Sequence, residues 1–296
     1  MTQQPAVTPP TQYYVPSQSH WPITGSIALF FSVIGAVNWI HGHPTFGHWV
    51  MVLGLFFLCY MMYHWFGDVI RESRAGLYSA QLDKSFRLGM SWFIFSEVMF
   101  FTAFFGALFY IREFSVPWLG GEGVHALAGQ ILWPEFKATW PLLHYPDPNI
   151  PSPTGVINPM GLPLINTALL LSSGVTLTIA HWALRKNARG LLVLFLGLTL
   201  LLGWTFMGIQ GYEYVHAYKH LGLTLGSGVY GSTFFMLTGF HGFHVMMGSI
   251  ILLAVLVRCI KGHFTPERHF AFEAAAWYWH FVDVVWLGLF ILVYWL

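Results

Sequence analysis

The run Phe272-Glu273-Ala274-Ala275-Ala276-Trp277-Tyr278-Trp279-His280-Phe281-Val282-Asp283-Val284-Val285-Trp286 sets two carboxyl groups and an imidazole in an otherwise apolar stretch. An ionisable group at bilayer depth costs at least about 2.5–3.5 kcal/mol, so such residues face a protein interior, pair, or stay neutral. Glu273 and His280 are seven residues apart, close to one face of a helix, and Asp283 lies three beyond His280. The expectation is a polar seam between packed helices rather than a proton wire, because one helix shows no continuation of a wire. Glu97 is the sharper case. It stands among Phe93, Ile94, Phe95, Val98, Met99, Phe100 and Phe101, roughly 16 Å along a helix from Phe86. It is either a proton-exchanging carboxyl or a buried donor that fixes a helix contact, and both readings stay open. His241 and His244, three apart, have the chemistry of haem or copper ligands. Gly239 and Gly242 beside them favour close helix packing and hydrogen bonding instead, which is the expectation.

Other motifs exclude more than they assign. There is no Gly-rich phosphate loop, no HExxH and no CxxC, so nucleotide hydrolysis and soluble-type zinc chemistry have no motif. His41, His43 and His48 have spacing that would suit a metal, but they stand in a short Gly/Pro-flanked loop and are expected to face solvent or an interface. Cys59 and Cys259 fall in or at the end of apolar runs and read as buried small hydrophobes, not a disulfide framework. A different chemistry is suggested where Trp65 precedes Asp68, Arg71 and Glu72, and where Arg258 and Lys261 close a later apolar run. Aromatic rings and cations at headgroup depth suit phospholipid. Arg71 with the adjacent Glu72 makes a mixed-charge pair able to meet both ends of a zwitterionic lipid, whereas snorkelling alone accounts for Arg74 or Lys186.

The elements that must position these residues follow from composition. With 56% hydrophobic residues and only 8% charged, 296 residues cannot hide their apolar surface in one water-soluble core. Seven stretches are long enough to cross about 30 Å of hydrocarbon as helices: 22–40, 48–66, 86–111, 162–184, 191–212, 229–257 and 270–295. None alternates as a barrel strand does, so the fold class is all-α and polytopic. Ten of the thirteen basic residues fall on one side, in the 2–3, 4–5 and 6–7 connections; only Arg112, Lys137 and Lys219 fall on the other. The positive-inside rule then puts the N-terminus on the cytoplasmic or equivalent side and the C-terminus opposite. Residues 1–20 hold Pro5, Pro9, Pro10 and Pro16 among polar residues and read as a tail. Expected boundaries are the tail (1–20), a two-helix bundle (21–66), a connection (67–85) and a five-helix bundle (86–296) carrying a long Pro/Gly-rich outer loop at 112–161.

The chain resembles subunit III of haem-copper cytochrome c oxidase. The resemblance rests on the run Phe272 to Trp286, Tyr230-Gly231-Ser232-Thr233-Phe234-Phe235, Thr238-Gly239-Phe240-His241-Gly242-Phe243-His244, Asp68-Val69-Ile70-Arg71-Glu72-Ser73, Ser96-Glu97-Val98-Met99-Phe100-Phe101, Leu162-Pro163-Leu164-Ile165-Asn166-Thr167 and Tyr212-Glu213-Tyr214. It covers nearly everything from Trp21 on. The resemblance implies seven helices in a V-shaped arrangement of two plus five, phospholipid in the cleft, and no haem or copper in this chain. Haem a and copper belong to partner subunits I and II, and cytochrome c feeds the complex; no nucleic acid is implied. The implied role is to stabilise the catalytic subunit and support its proton uptake. By position, Glu97 matches the family's buried glutamate, Arg71, Glu72 and Arg258 its headgroup contacts, and Trp65 its cleft lining. Leu77-Tyr78-Ser79-Ala80 replaces a common His-His-Thr-Pro stretch, and only His20 precedes the first helix. Residues 113–160 are longer than in the mitochondrial form, from which a bacterial aa3-type enzyme is expected, in the bacterial plasma membrane with a cytoplasmic N-terminus and a periplasmic C-terminus. The alternatives are a quinol-oxidase subunit III, which generally lacks the first two helices; a stand-alone proton or ion transporter using Glu97, Glu273 and Asp283; and a haem carrier using His64, His241, His244 or His280.

Overall fold

The computed structural model describes residues 14–295. Residues 1–13, and with them Pro5, Pro9 and Pro10 of the expected tail, lie outside the described residues. The helices are α1 (Trp21–Ile40), α2 (Pro44–Arg74), α3 (Ala80–Tyr110), α4 (Val116–Leu119), α5 (Ala126–Leu132), α6 (Leu162–Arg185), α7 (Arg189–His220), α8 (Gly228–Ile260) and α9 (Phe270–Leu289), the last continued by a wider turn over Phe290–Trp295. Seven helical stretches among the described residues are long and apolar enough to cross a membrane. The all-α, seven-span architecture is therefore as the sequence implies.

Local chemistry sets the helix ends. Pro22, Pro44 and Pro163 open α1, α2 and α6, where a missing N–H costs no hydrogen bond and the fixed φ suits the first turn. α2 runs on to Arg74, beyond the expected end at 66, and α3 begins at Ala80. Asp68, Arg71, Glu72 and Arg74 thus lie on helix, not in a loop. Arg71 and Arg74 in the last turn oppose the helix dipole, and Gly76, at φ 72°, supplies the left-handed residue that stops it. The third span likewise runs past its expected end at 111. It passes through a widened turn at Ile111–Ser115 into α4, because Pro117 has no N–H to give and its ring displaces the carbonyl four residues back.

The chain divides between Leu88 and Gly89 into two compact units, the first carrying α1 and α2 and the second the remaining spans. In the first, α1 and α2 form a close hairpin. A Cβ on Gly35 would strike the backbone of Met51, one on Gly47 that of Trp39, and one on Gly54 that of Ser32. Small residues let backbones approach where lipid offers no hydrophobic drive to associate. Large apolar side chains such as Phe30, Phe56 and Tyr63 point outward, as lipid-facing surfaces require.

In the second unit α9 is the central helix. Trp279, Trp286, Phe272, Val282 and Leu289 are all buried there. The Trp279 ring is closely faced by Gly203 of α7 and Gly248 of α8, and its indole N–H donates to Ser173 Oγ at 2.8 Å. Trp286 donates to Thr167 Oγ1 at 2.9 Å, Thr176 and Thr199 join α6 to α7 at 2.8 Å, and Tyr214 meets Thr238 across α7 and α8 at 2.7 Å. Each bond satisfies a polar group that has no water to turn to.

Candidate functional site

Several ionisable residues of the second unit gather in polar clusters between helices. Glu97 of α3 and His244 of α8 face one another: Oε2 and Nε2 are 2.8 Å apart. His244 Nδ1 lies 2.6 Å from the Phe240 carbonyl. A carbonyl can only accept, so Nδ1 carries a hydrogen and Nε2 is the atom shared with Glu97. Phe100, Phe101, Tyr278 and Phe281 surround the imidazole. The acid and the histidine singled out separately in the sequence thus form one pair, bridging α3 to α8.

His241, one turn before, points elsewhere. Its Nε2 donates to the Val282 carbonyl at 3.2 Å, and its ring packs on Phe206 and Trp286. Both α8 imidazoles are engaged in helix-to-helix contacts.

The acids of α9 divide. His280 Nδ1 lies 3.4 Å from Asp283 Oδ2, and both groups pack over Gly174 of α6, which has no side chain to obstruct them. Glu273 Oε1 sits 3.1 Å from Nε2 of His269, one turn back, and 4.0 Å from Nε2 of His181 on α6. The α9 acids therefore reach α6 in two layers.

A further cluster escapes a reading by motif. Glu213, 1% exposed, accepts from Tyr294 Oη at 2.6 Å and from Gln210 Nε2 at 3.3 Å, and Gln210 Oε1 accepts from Asn166 Nδ2 at 3.4 Å. Glu213 lies one residue beyond the expected end of the 191–212 stretch. The helix continues to His220, past the expected span end at 212, so that Glu213 falls inside it.

In the first unit the α2 acids are met largely by aromatic donors. Trp21 Nε1 donates to Asp68 Oδ2 at 2.8 Å, and Arg71 pairs with the other Asp68 oxygen. Tyr14 and Tyr78 hydroxyls donate to the two oxygens of Glu72 at 3.2 and 3.0 Å. Burial and the Glu72 charge push the Tyr78 hydroxyl above the usual phenol range. The Arg71 side chain is 78% exposed, and Trp65 is exposed beside Phe66. In the second unit the Arg258 guanidinium lies 4.3 Å over the Phe264 ring. Of the loop histidines, His41 Nδ1 donates to Val37 O at 2.8 Å, and His48 lies within α2 against Trp39.

This arrangement, with seven spans and interior acids and imidazoles committed to interhelical contacts, defines a helical membrane subunit whose polar groups brace its packing. Comparison with known proteins makes that specific. The sequence profile of "Cytochrome c oxidase subunit III" matches residues 11–122 and 133–296, and the chain belongs to that family. It is 43% identical to "Cytochrome c oxidase subunit 3" of Carassius auratus over 286 residues, 96% of each chain. Identity to the same subunit of Gadus morhua is 43%, and of Pongo abelii 41%, over the same length and share. The chain is accordingly a non-redox accessory subunit of an oxidoreductase complex; the complex, not this chain, is the enzyme.

The expected bacterial aa3-type origin, and with it the bacterial plasma membrane between cytoplasm and periplasm, is corrected by these relatives. They are vertebrate proteins, and none of them supports a bacterial aa3-type origin or a bacterial inner membrane. The expectation rested on the length of the 113–160 loop, and surface loops accept insertions without regard to compartment. The profile leaves only 123–132 unmatched in that loop.

Proposed function

We propose that this subunit carries phospholipid for its oxidase, stabilises the catalytic subunit and supports that subunit's proton uptake. Its partners in this reading are subunits I and II, with cytochrome c as electron donor to the complex, haem a and copper in the partner subunits, and no nucleic acid. The domains proposed are the tail (1–20), the two-helix bundle (21–66), its connection (67–85) and the five-helix bundle (86–296).

The observation that carries the lipid reading is the environment of Arg71. Its side chain is largely exposed at the end of an apolar helix, close in sequence to the exposed Trp65. Glu72 is held in place by Tyr14 and Tyr78, which fixes a negative charge next to the guanidinium in sequence. A phosphate on Arg71 and an amine near Glu72 would use both. Arg258, stacked on Phe264 at the end of α8, offers a second cation for a phosphate. Mass spectrometry of lipid retained by the purified complex tests this: Arg71→Ala and Arg258→Ala should each lower it, and unchanged lipid in both would remove the headgroup assignment.

For proton uptake, the pairing of Glu97 with His244 supports a supporting rather than a catalytic role. The amide of Glu97→Gln can still donate to Nε2, so this variant should keep electron transfer largely intact and at most change proton delivery. Loss of nearly all oxygen consumption in a fully assembled Glu97→Gln complex would contradict the proposal. Glu273, His280, Asp283 and His241 are read as parts of the polar seam.

A further inference from the structure

We propose that His181, His269 and Glu273 form a three-ligand site for a soft divalent cation of the zinc class, at the end of the second unit that bears the basic connections. His181 stands on α6 four residues before Arg185, His269 immediately precedes α9, and Glu273 lies in the first turn of α9. One donor atom from each lies within 4.8 Å of the other two. Zinc binds imidazole nitrogen and carboxylate oxygen at about 2.0–2.2 Å, which sets donors in a tetrahedron about 3.3 Å apart. The separations of Glu273 Oε1 from the two Nε2 atoms, 3.1 and 4.0 Å, fall around that value.

The unbonded nitrogens point to a ligand. His269 Nδ1 donates to the Thr265 carbonyl at 3.2 Å, which leaves Nε2 of the neutral ring presenting a lone pair. Nε2 of His269 and Nε2 of His181 are both buried and neither makes a hydrogen bond, although they lie 3.1 and 4.0 Å from the same carboxylate oxygen. An unprotonated ring nitrogen beside a carboxylate is repelled unless positive charge lies between. A proton on one ring answers one of these contacts; a divalent ion answers both. The Thr265 carbonyl is the outer partner that fixes the tautomer and aim of a metal-binding histidine. Two imidazoles with one carboxylate leave a fourth position open to water and disfavour magnesium and calcium, which prefer all-oxygen sets. Arg185 and Arg268, close in sequence, add positive charge at this end, which favours an ion held by imidazole coordination over one held by charge alone. Bound there, the ion would tie α6 to the start of α9, whose first turn has no side-chain cap.

The test uses the full chain purified in detergent and washed with chelator. Zn2+ is titrated against a chromophoric competitor, and Co2+ is added in parallel to read coordination from its visible bands. The expected result is one tight equivalent, an intense four-coordinate cobalt spectrum, and a zinc-dependent rise in melting temperature. His181→Gln and Glu273→Gln should each weaken zinc about tenfold or more and abolish the rise, while His43→Gln, in the first unit, leaves both unchanged. If His181→Gln does not fold, Glu273→Gln and His269→Gln carry the comparison. Equal zinc affinity in the parent and these variants, equal loss in His43→Gln, or no tight binding by the parent would each overturn the site and leave the cluster satisfied by a proton.

Discussion

The pairing of Glu97 with His244 illustrates what a single residue can and cannot disclose. Each was conspicuous alone, an acid amid phenylalanines and an imidazole amid glycines. They stand 147 residues apart, and the periodicity of one helix does not say which other helix its face will meet. Removing the acid should expose that dependence. Glu97→Ala leaves His244 Nε2 buried without its partner and should cost about 1–3 kcal/mol, whereas Glu97→Gln, which keeps a donor, should cost less; thermal melting of the purified chain compares them. The α9 acids make a related point. Seven-residue spacing put Glu273 and His280 on one face, yet the closer imidazoles to Glu273 are His269, one turn back, and His181 on another helix, while His280 turns to Asp283. Glu72 offers a pH test. The raised Tyr78 hydroxyl means that its contact with Glu72 contributes fully below the unfolded phenol value of about 10 and is lost only as pH rises through the higher folded value. The difference between parent and Tyr78→Phe in a tyrosinate absorbance titration should therefore lie above pH 10; a difference centred at or below that value would count against the contact.

At the scale of elements, the apolar runs were legible because lipid demands some twenty apolar residues per crossing, but their ends were not. α2 extends to Arg74 and α3 starts at Ala80, since charged residues are as much at home on a helix protruding into the headgroup region as in a loop. Hydropathy sees only where charge begins, whereas the helix stops where a residue such as Gly76 takes up left-handed geometry. The closeness of α1 and α2 depends on glycines that a hydropathy scan treats as neutral. Gly54→Val would drive a side chain into the backbone of Ser32 and should destabilise the hairpin by about 1–3 kcal/mol or more. Faster proteolysis between α1 and α2 in the variant, with the second unit unaffected, is the expected signature.

For the whole molecule, the number of spans and the family were readable from sequence, and the compartment was not. The positive-inside pattern reports which side faces the site of synthesis, in any organism, and loop length reports little. The segment 123–132, unmatched by the family profile, folds back so that Gly129 packs on the backbone of Gly121 and Leu119. The chain therefore returns close to where the segment leaves it. Deleting 123–132 should leave assembly of the oxidase complex intact by native gel electrophoresis, and failure to assemble would assign that segment a docking role.

Trp279 gives the molecule a built-in optical reporter. Faced by two glycines and tethered through its indole to Ser173, its ring has little room to rotate and no route to solvent. Its emission should lie at the blue edge of the spectrum, with slow anisotropy decay and no quenching by aqueous acrylamide, while rings such as Trp49 and Trp92, largely exposed on the surface, respond to brominated lipid. Subtracting the spectrum of a Trp279→Phe variant would isolate that signal and show, in real time, the moment at which α7, α8 and α9 separate.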